Sequence, residues 1–302
     1  SPAVHAGMRR AAMLPRRAAA AATRRLADHS WAAASGAPVA SGRASPGRLT
    51  LGLGVGSCVF RPQPRTSASL AEPPTAPGDV GDEALLQQLR GVDTCALCDA
   101  SAKQARVVRG VRPLRQGYRL AGRVRTVRVD GDFLEVLCAI RDAQPGDVIA
   151  IDAGLGGGEG EDEWPRTGGM FGELLAHEAQ RRGVAGFVID GNCRDSPLLL
   201  RMDLPIFARG MHPNAGTACR RGSSQCVVSL GGVEVRPGDY ILGDDDGVVV
   251  CSYHELEGWL PKARAIQEME SAMLAHVQGG GSLFDRLPNF DEHVAAVSLG
   301  RE

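Results

Sequence analysis

The charge of this chain is divided so unevenly that only part of it has the composition of a globular domain. Residues 1–70 carry ten Arg, no Lys and a single acid, Asp28, among tracts of Ala, Ser, Gly and Pro. Such a segment has too little apolar surface to offset the entropy of ordering it. The rest of the chain holds 24 basic and 34 acidic residues, a net charge of -10, so a total of -1 conceals two opposite halves. The expected organisation is a disordered leader over 1–78, closed by Pro73-Pro74, Pro77 and Gly78, and one folded domain over 79–302. An Arg-rich, acid-poor leader has the composition of an organelle transit peptide. The expected location is a mitochondrion or plastid, or the cytoplasm if the leader is inert.

The acidic remainder argues against a nucleic-acid binder, because phosphate recognition needs clustered Lys and Arg. The semi-apolar stretch 49–60 is broken by Gly52, Gly54 and Gly56 and falls short of the ~18 apolar residues of a membrane span, so no membrane partner is expected. Eight cysteines lack framework spacing, and Cys95-x-x-Cys98 has no second pair to complete a zinc site. Free thiols in a reducing compartment are expected.

Within the domain, helical patterns run over 82–89 and 93–100, the latter carrying Asp99 near its end. Strand patterns cover 119–129, 148–152, 185–189 and 204–208. Closely spaced strands with tight turns follow at 227–235 and 240–250. Asp244-Asp245-Asp246-Gly247 reads as a hairpin turn, lacking the 12-residue pattern of a calcium loop. From Glu255 to Val277 an apolar face of Leu256, Leu260, Ala263, Ile266, Met269 and Met273 predicts a helix that Pro261 should kink or split. The Gly-rich acidic segment 154–167 misses the dinucleotide-fingerprint register and reads as a loop.

Two stretches carry chemistry. Val188-Ile189-Asp190-Gly191-Asn192-Cys193-Arg194-Asp195 is a buried strand that delivers a cation beside an anion to its carboxyl end, where α/β folds place ligands. Arg194 suits an anionic substrate and Asp195 a hard metal ion. Gly168-Gly169-Met170-Phe171-Gly172-Glu173 leads into the helix of Leu174 and Leu175, exposing free N–H groups to an anion. His177 and His212 have no partner histidine at ligand spacing and read as structural.

These stretches, with Leu204 to Gly210 and Pro237 to Val250, resemble the family of ribonuclease activity regulator A-like proteins and 4-hydroxy-4-methyl-2-oxoglutarate aldolases. The resemblance runs from about residue 85 to 290. It implies an α/β fold of the three-layer β/β/α swivelling type, a homotrimer, and divalent-metal-dependent (Mg2+ or Mn2+) cleavage of a small 2-keto acid to pyruvate, with oxaloacetate decarboxylation as a related activity. By position, Asp195 matches the metal-binding carboxylate and Arg194 the substrate-binding arginine. Gly172, Glu173, Leu174 and Leu175 match the substrate-contacting segment, where Glu173 stands in place of the Asp of some aldolases. Glu270 aligns with an acid given to a neighbouring subunit's site, and Asp99 with an acid on an early helix. The competing reading is a non-catalytic regulator that binds a ribonuclease or helicase; some regulators lack the Asp after the Arg, and here Asp195 is present.

Overall fold

A computed structural model describes residues 79–154 and 168–298. The leader over 1–78 and the loop expected over 154–167, all but its first residue, lie outside the described residues. The chain opens with helices α1 (Asp79–Leu89) and α2 (Thr94–Ala100), short strands β1 (Arg106–Val108) and β2 (Arg112–Pro113), and the long strand β3 (Leu120–Arg128). Helix α3 (Leu134–Asp142) and strand β4 (Asp147–Asp152) follow, then β5 (Gly169–Phe171), α4 (Glu173–Arg181), β6 (Gly186–Cys193), the single turn α5 (Ser196–Leu199) and β7 (Ile206–Met211). Next come β8 (Ser223–Ser224), the hairpin β9 (Val228–Leu230) and β10 (Val233–Val235), and the hairpin β11 (Tyr240–Asp244) and β12 (Gly247–Cys251). Helix α6 (Tyr253–Gln278), a 3-10 turn at Leu283–Arg286 and α7 (Phe290–Ser298) end the described chain.

The main sheet has the order β1-β12-β11-β3-β4-β6-β7-β2. Its centre, β3-β4-β6-β7, is parallel, because α3 and α4 carry the chain back between strands. Strands covered on both faces are continuously apolar rather than alternating, as in Val148-Ile149-Ala150-Ile151, all fully buried. On one face, Val136, Ile140, Ala176 and Ala179 pack against Ile149, Ile151, Phe187 and Ile189. On the other, Val148, Ala150 and Val188 share a core with Ile241, Val248 and Val250 of the antiparallel strands and with Leu230 and Val235. The sheet therefore curls until its antiparallel part covers its parallel part. Gly243 permits that approach, since a Cβ there would lie 2.9 Å from the Phe207 ring. The outer face of β11 and β12 is covered by Leu89, Leu97, Leu256 and Leu260 of α1, α2 and α6. This is the expected α/β class with stacked β layers and a helical layer, plus a further helical layer on the outside.

Buried carboxylates tie this arrangement together. Asp152 and Asp190 are cross-strand neighbours on β4 and β6. They accept the N–H groups of Ser229 (3.3 Å) and Gly231 (2.7 Å), two residues apart on β9 and the turn that follows it. Arg128 and Arg209 neutralise them in turn. Asp132 accepts from the N–H groups of Leu134, Cys219 and Arg220 and from the Thr217 hydroxyl, anchoring the segment after β7 to the start of α3. Asp244 receives both the N–H and the hydroxyl of Thr94 at the start of α2, so the acidic turn at 244–246 is structural, as expected.

One helix was not anticipated, and three expectations change. Helix α3, with no strong sequence signal, forms the crossover between β3 and β4. Pro261 does not split α6, which runs unbroken over Tyr253–Gln278; Glu257, whose carbonyl Pro261 leaves without its helical donor, is exposed to water. The apolar face of α6 is buried only at Leu256, Leu260 and Ala263, while Met269 is 56% exposed. Among the cysteines, 95, 98, 138, 193, 226 and 251 are free, as expected, whereas Cys219 is disulfide-bonded. Burial and the neighbouring Asp246 push the Cys95 thiol up to about 11, which makes it a poor redox nucleophile.

Replacing Asp190, 1% exposed, with Ala leaves Arg209 unpaired and Gly231 N–H without its acceptor. A loss of about 3–5 kcal/mol in urea unfolding is expected. Burial alone would raise the Asp132 carboxyl, but its four hydrogen bonds outweigh that and hold it below the usual carboxylate range. A depressed carboxylate adds stability above its unfolded pKa of about 3.9 and loses it as pH falls through the lower folded value. The stability gap between the parent and Asp132→Asn should accordingly be full at neutral pH and close in acid below about pH 4, as read by melting curves across pH.

Candidate functional site

Strand β6 changes neighbours along its length, and this builds the site. Residues Val188 to Asp190 pair with β4. At Asn192 and Cys193, β5 takes that place, while β7 stays on the other side through Gly210 and Met211. Beyond the last pairs, Arg194 N–H donates to Phe171 O (2.9 Å) and His212 N–H donates to Cys193 O (2.8 Å). Three segments thus leave the carboxyl ends of parallel strands side by side: Gly172-Glu173, Arg194-Asp195 and His212-Pro213. Ligand sites of α/β folds form at such edges.

Gly172 caps α4 in an extended conformation with no side-chain hydrogen bond. The first-turn N–H groups of Glu173, Leu174 and Leu175 have no intrahelical acceptor. The Asp195 carboxylate takes the first of them, with Glu173 N–H 3.2 Å from Oδ2. Asp195 lies in the left-handed region (φ 61°, ψ 35°), which Asp tolerates better than most residues. Its side chain lies over Gly172, where a Cβ would sit 2.6 Å from Oδ2. The Arg194 guanidinium stands beside it, Nε 3.3 Å from Oδ1. Both side chains keep water access, at 41% and 34% exposure. The Glu173 carboxylate lies 3.6 Å from His177 Nε2 one helical turn on. Leu174 is exposed and Leu175 packs against the core.

A guanidinium beside open helix N–H groups binds a carboxylate. For a metal ion, the described residues contain no group of three or more His, Cys, Asp or Glu. Asp195 retains unused lone pairs after its two hydrogen bonds, and Glu173 follows the glycine that cradles it. That set fits an ion such as Mg2+, which keeps most of its waters and takes one or two protein carboxylates. Cys193, next to Arg194 in sequence, is fully buried with its thiol pushed up to about 12, and plays no nucleophilic part.

Of the residues singled out from sequence, Gly172, Glu173, Leu174, Leu175, Arg194 and Asp195 come together. Asp99 does not join them within one chain: it is exposed on α2, in the outer helical layer, and pairs with Lys103. Glu270 is exposed on the second half of α6 and makes no hydrogen bond or ion pair among the described residues. His212, structural by its sequence spacing, has a backbone that flanks Arg194; its sequence neighbours give no sign of a contact made across strands.

A family model described as RraA-like, Aldolase/RraA, matches residues 94–250. A protein of Halalkalibacterium halodurans named "Putative 4-hydroxy-4-methyl-2-oxoglutarate aldolase" is 36% identical over 188 residues, covering 62% of this chain and 85% of its own. Streptomyces coelicolor RraAS2, described as an unusual member of the RNase ES inhibitor RraA protein family, matches with a TM-score of 0.55 at 25% identity, over 65% of this chain and 98% of its own. An uncharacterized protein of Pseudomonas syringae shares the fold, with a TM-score of 0.57 at 23% identity over 67% of this chain and 96% of its own.

Gly172→Ala tests the cradle. Its φ of -152° suits alanine, but the new methyl would strike Asp195 Oδ2 and Arg194 Cγ. Melting should shift by only a few degrees, while Mn2+ affinity measured by paramagnetic resonance falls about tenfold or more.

Proposed function

We propose that this chain, which belongs to the RraA-like family, is a divalent-metal-dependent carbon-carbon lyase that cleaves 4-hydroxy-4-methyl-2-oxoglutarate to pyruvate. Oxaloacetate decarboxylation is a second activity of the same site. The observation that carries this reading is the Arg194-Asp195 pair at the carboxyl end of β6, with the Asp195 carboxylate held by the Glu173 N–H at the mouth of α4. The name of the Halalkalibacterium halodurans relative supports the substrate class.

Both reactions break a carbon-carbon bond beside a 2-keto acid and leave the electron pair on the pyruvyl fragment. The residues must therefore hold the carboxylate next to the keto group and stabilise charge growing on the keto oxygen. The open N–H groups of Leu174 and Leu175 and the Arg194 guanidinium bind and orient that end. Arg194, hydrogen-bonded to Asp195, is fixed in the plane from which it meets the developing negative charge. Asp195 would hold the metal ion, which supplies Lewis-acid stabilisation of the keto oxygen when bound. Glu173 positions the water that receives the C4 hydroxyl proton as that carbon becomes the second pyruvate's carbonyl.

The reading extends to a homotrimer in which Glu270 serves the site of a neighbouring subunit. In support, Glu270 lies on the part of α6 whose apolar residues Met269, Leu274 and Val277 are left exposed by its own chain. Asp99 would act only in such an assembly. Import into a mitochondrion or plastid remains the proposal for the Arg-rich leader. A second reading, a regulator of ribonuclease activity without catalysis, is supported by the likeness to RraAS2; the presence of Asp195 favours the lyase.

The deciding assay is pyruvate release from both substrates by the full chain with Mg2+ or Mn2+. EDTA should abolish it. Asp195→Ala should fold normally by melting but lose about a hundredfold or more in kcat/KM. Arg194→Lys should also be poor, keeping charge but losing the planar fork. Full activity of Asp195→Ala after metal removal would overturn the assignment.

A further inference from the structure

The two acids and the arginine described so far account for one end of a 2-keto dicarboxylate and leave its other carboxylate without a donor. We propose that His212 is a substrate-contacting residue of this site, donating its ring Nε2–H to that distal carboxylate. The proposal rests on the lyase reading for the orientation of the substrate.

Backbone pairing fixes the position. The β6–β7 register ends at Cys193 opposite Met211. The next residues on the two strands are Arg194 and His212, which leave the sheet as neighbours about one strand spacing, ~4.8 Å, apart. The bond from His212 N–H to Cys193 O continues the ladder past its last pair. On the opposite side of Arg194 stands the N-terminus of α4, so His212 forms the facing flank.

The segment that carries His212 is held in place. Gly169 N–H donates to Asn214 O (2.8 Å) and Gly216 N–H donates to Gly169 O (3.3 Å), tying it to β5, the strand that leads to Gly172. Thr217 is bound to Gly131 O and to the buried Asp132 carboxylate. A ring on this segment is therefore presented from the same framework as Arg194 and Glu173, not from a loose surface loop.

The ring itself is polarised for donation. Its Nδ1 lies 3.2 Å from Asn214 N–H and 3.4 Å from the Asn214 carbonyl; the shorter contact makes Nδ1 the acceptor. In the neutral imidazole the proton then resides on Nε2, at the far side of the ring. Nε2 has no partner among the described residues, and His212 is half-buried. The basic side chain on β7, Arg209, is committed to Asp190 and cannot serve instead. A hydrogen bond to an ionised carboxylate is the stronger kind, enough to separate a ligand that has the second carboxylate from one that lacks it.

Two ligands separate this contact from general disruption: 2-oxoglutarate, which has two carboxylates but no C4 hydroxyl to drive cleavage, and pyruvate, which has one. Dissociation constants would be measured by titration calorimetry on the full chain in the presence of Mg2+. His212→Ala should weaken 2-oxoglutarate about tenfold and leave pyruvate nearly unchanged. His212→Asn keeps an acceptor for Asn214 N–H but is too short to reach the Nε2 position; it should melt like the parent and bind like His212→Ala. His212→Gln, whose amide nitrogen reaches that position, should recover part of the loss. Equal weakening of both ligands, no weakening of either, or failure of the parent to bind 2-oxoglutarate overturns the proposal. Pyruvate release by the parent is scored separately. Turnover without ligand discrimination at His212 leaves the lyase reading and removes the contact, whereas discrimination without turnover does the reverse.

Discussion

Everything that gives this protein a site depends on the carboxyl end of β6 having two different neighbours at once. For most of its length β6 is the middle of a parallel sheet, paired with β4 and β7. Where β4 ends, β5 takes over the pairing at Asn192 and Cys193, and only then does the chain release Arg194 and Asp195. Because β5 is three residues long and runs straight into α4, the exchange of partners brings a helix N-terminus against the strand end. The Asp195 carboxylate closes the gap by accepting Glu173 N–H, and the missing Cβ of Gly172 leaves room for it. A slip of one residue in β6 would turn Arg194 and Asp195 to opposite faces and dissolve the arrangement.

That edge is stiffened from below by charge rather than by apolar packing alone. Asp152 and Asp190 reach out of the sheet to hold the backbone of the β9–β10 hairpin, and Asp132 gathers four donors from the segment after β7. A buried carboxylate is costly unless its oxygens are satisfied, and here each is. The chain therefore uses its acidic excess in two ways. Some carboxylates are saturated by arginines and backbone N–H groups and serve as ties. Asp195 and Glu173 keep unused lone pairs within reach of water, and these are the ones suited to hold a cation or order a water.

The outer helical layer has a different character. The first half of α6 is anchored through Leu256, Leu260 and Ala263, and a capping box at Ser252 and Glu255 fixes its start. Its second half, the 3-10 turn after it and α7 carry apolar residues that their own chain leaves uncovered, including Leu274, Phe284 and Val297. The position of Glu270 on this projecting half explains why one chain alone does not bring it to Arg194 and Asp195.

Much of this was legible in the sequence. The β-branched runs located β3, β4, β6, β7, β11 and β12, and the residues Gly172 to Leu175, Arg194 and Asp195 were identifiable because their chemistry is local: glycine before a helix, and a cation beside an anion at a strand end. Helix α3 was not, since its nine residues mix charges with apolar positions and become helical by packing Val136, Ala139 and Ile140 on the sheet. The unbroken course of α6 through Pro261 was decided by its docking on α2 and the sheet, which outweighs one missing hydrogen bond. The place of His212 was decided only by register, because Cys193 and Met211 are remote in sequence and become neighbours through the β6–β7 pairing. Local composition and periodicity set which segments become strands and which residues can do chemistry; the pairing of strands across long sequence separations set which of those residues share a site.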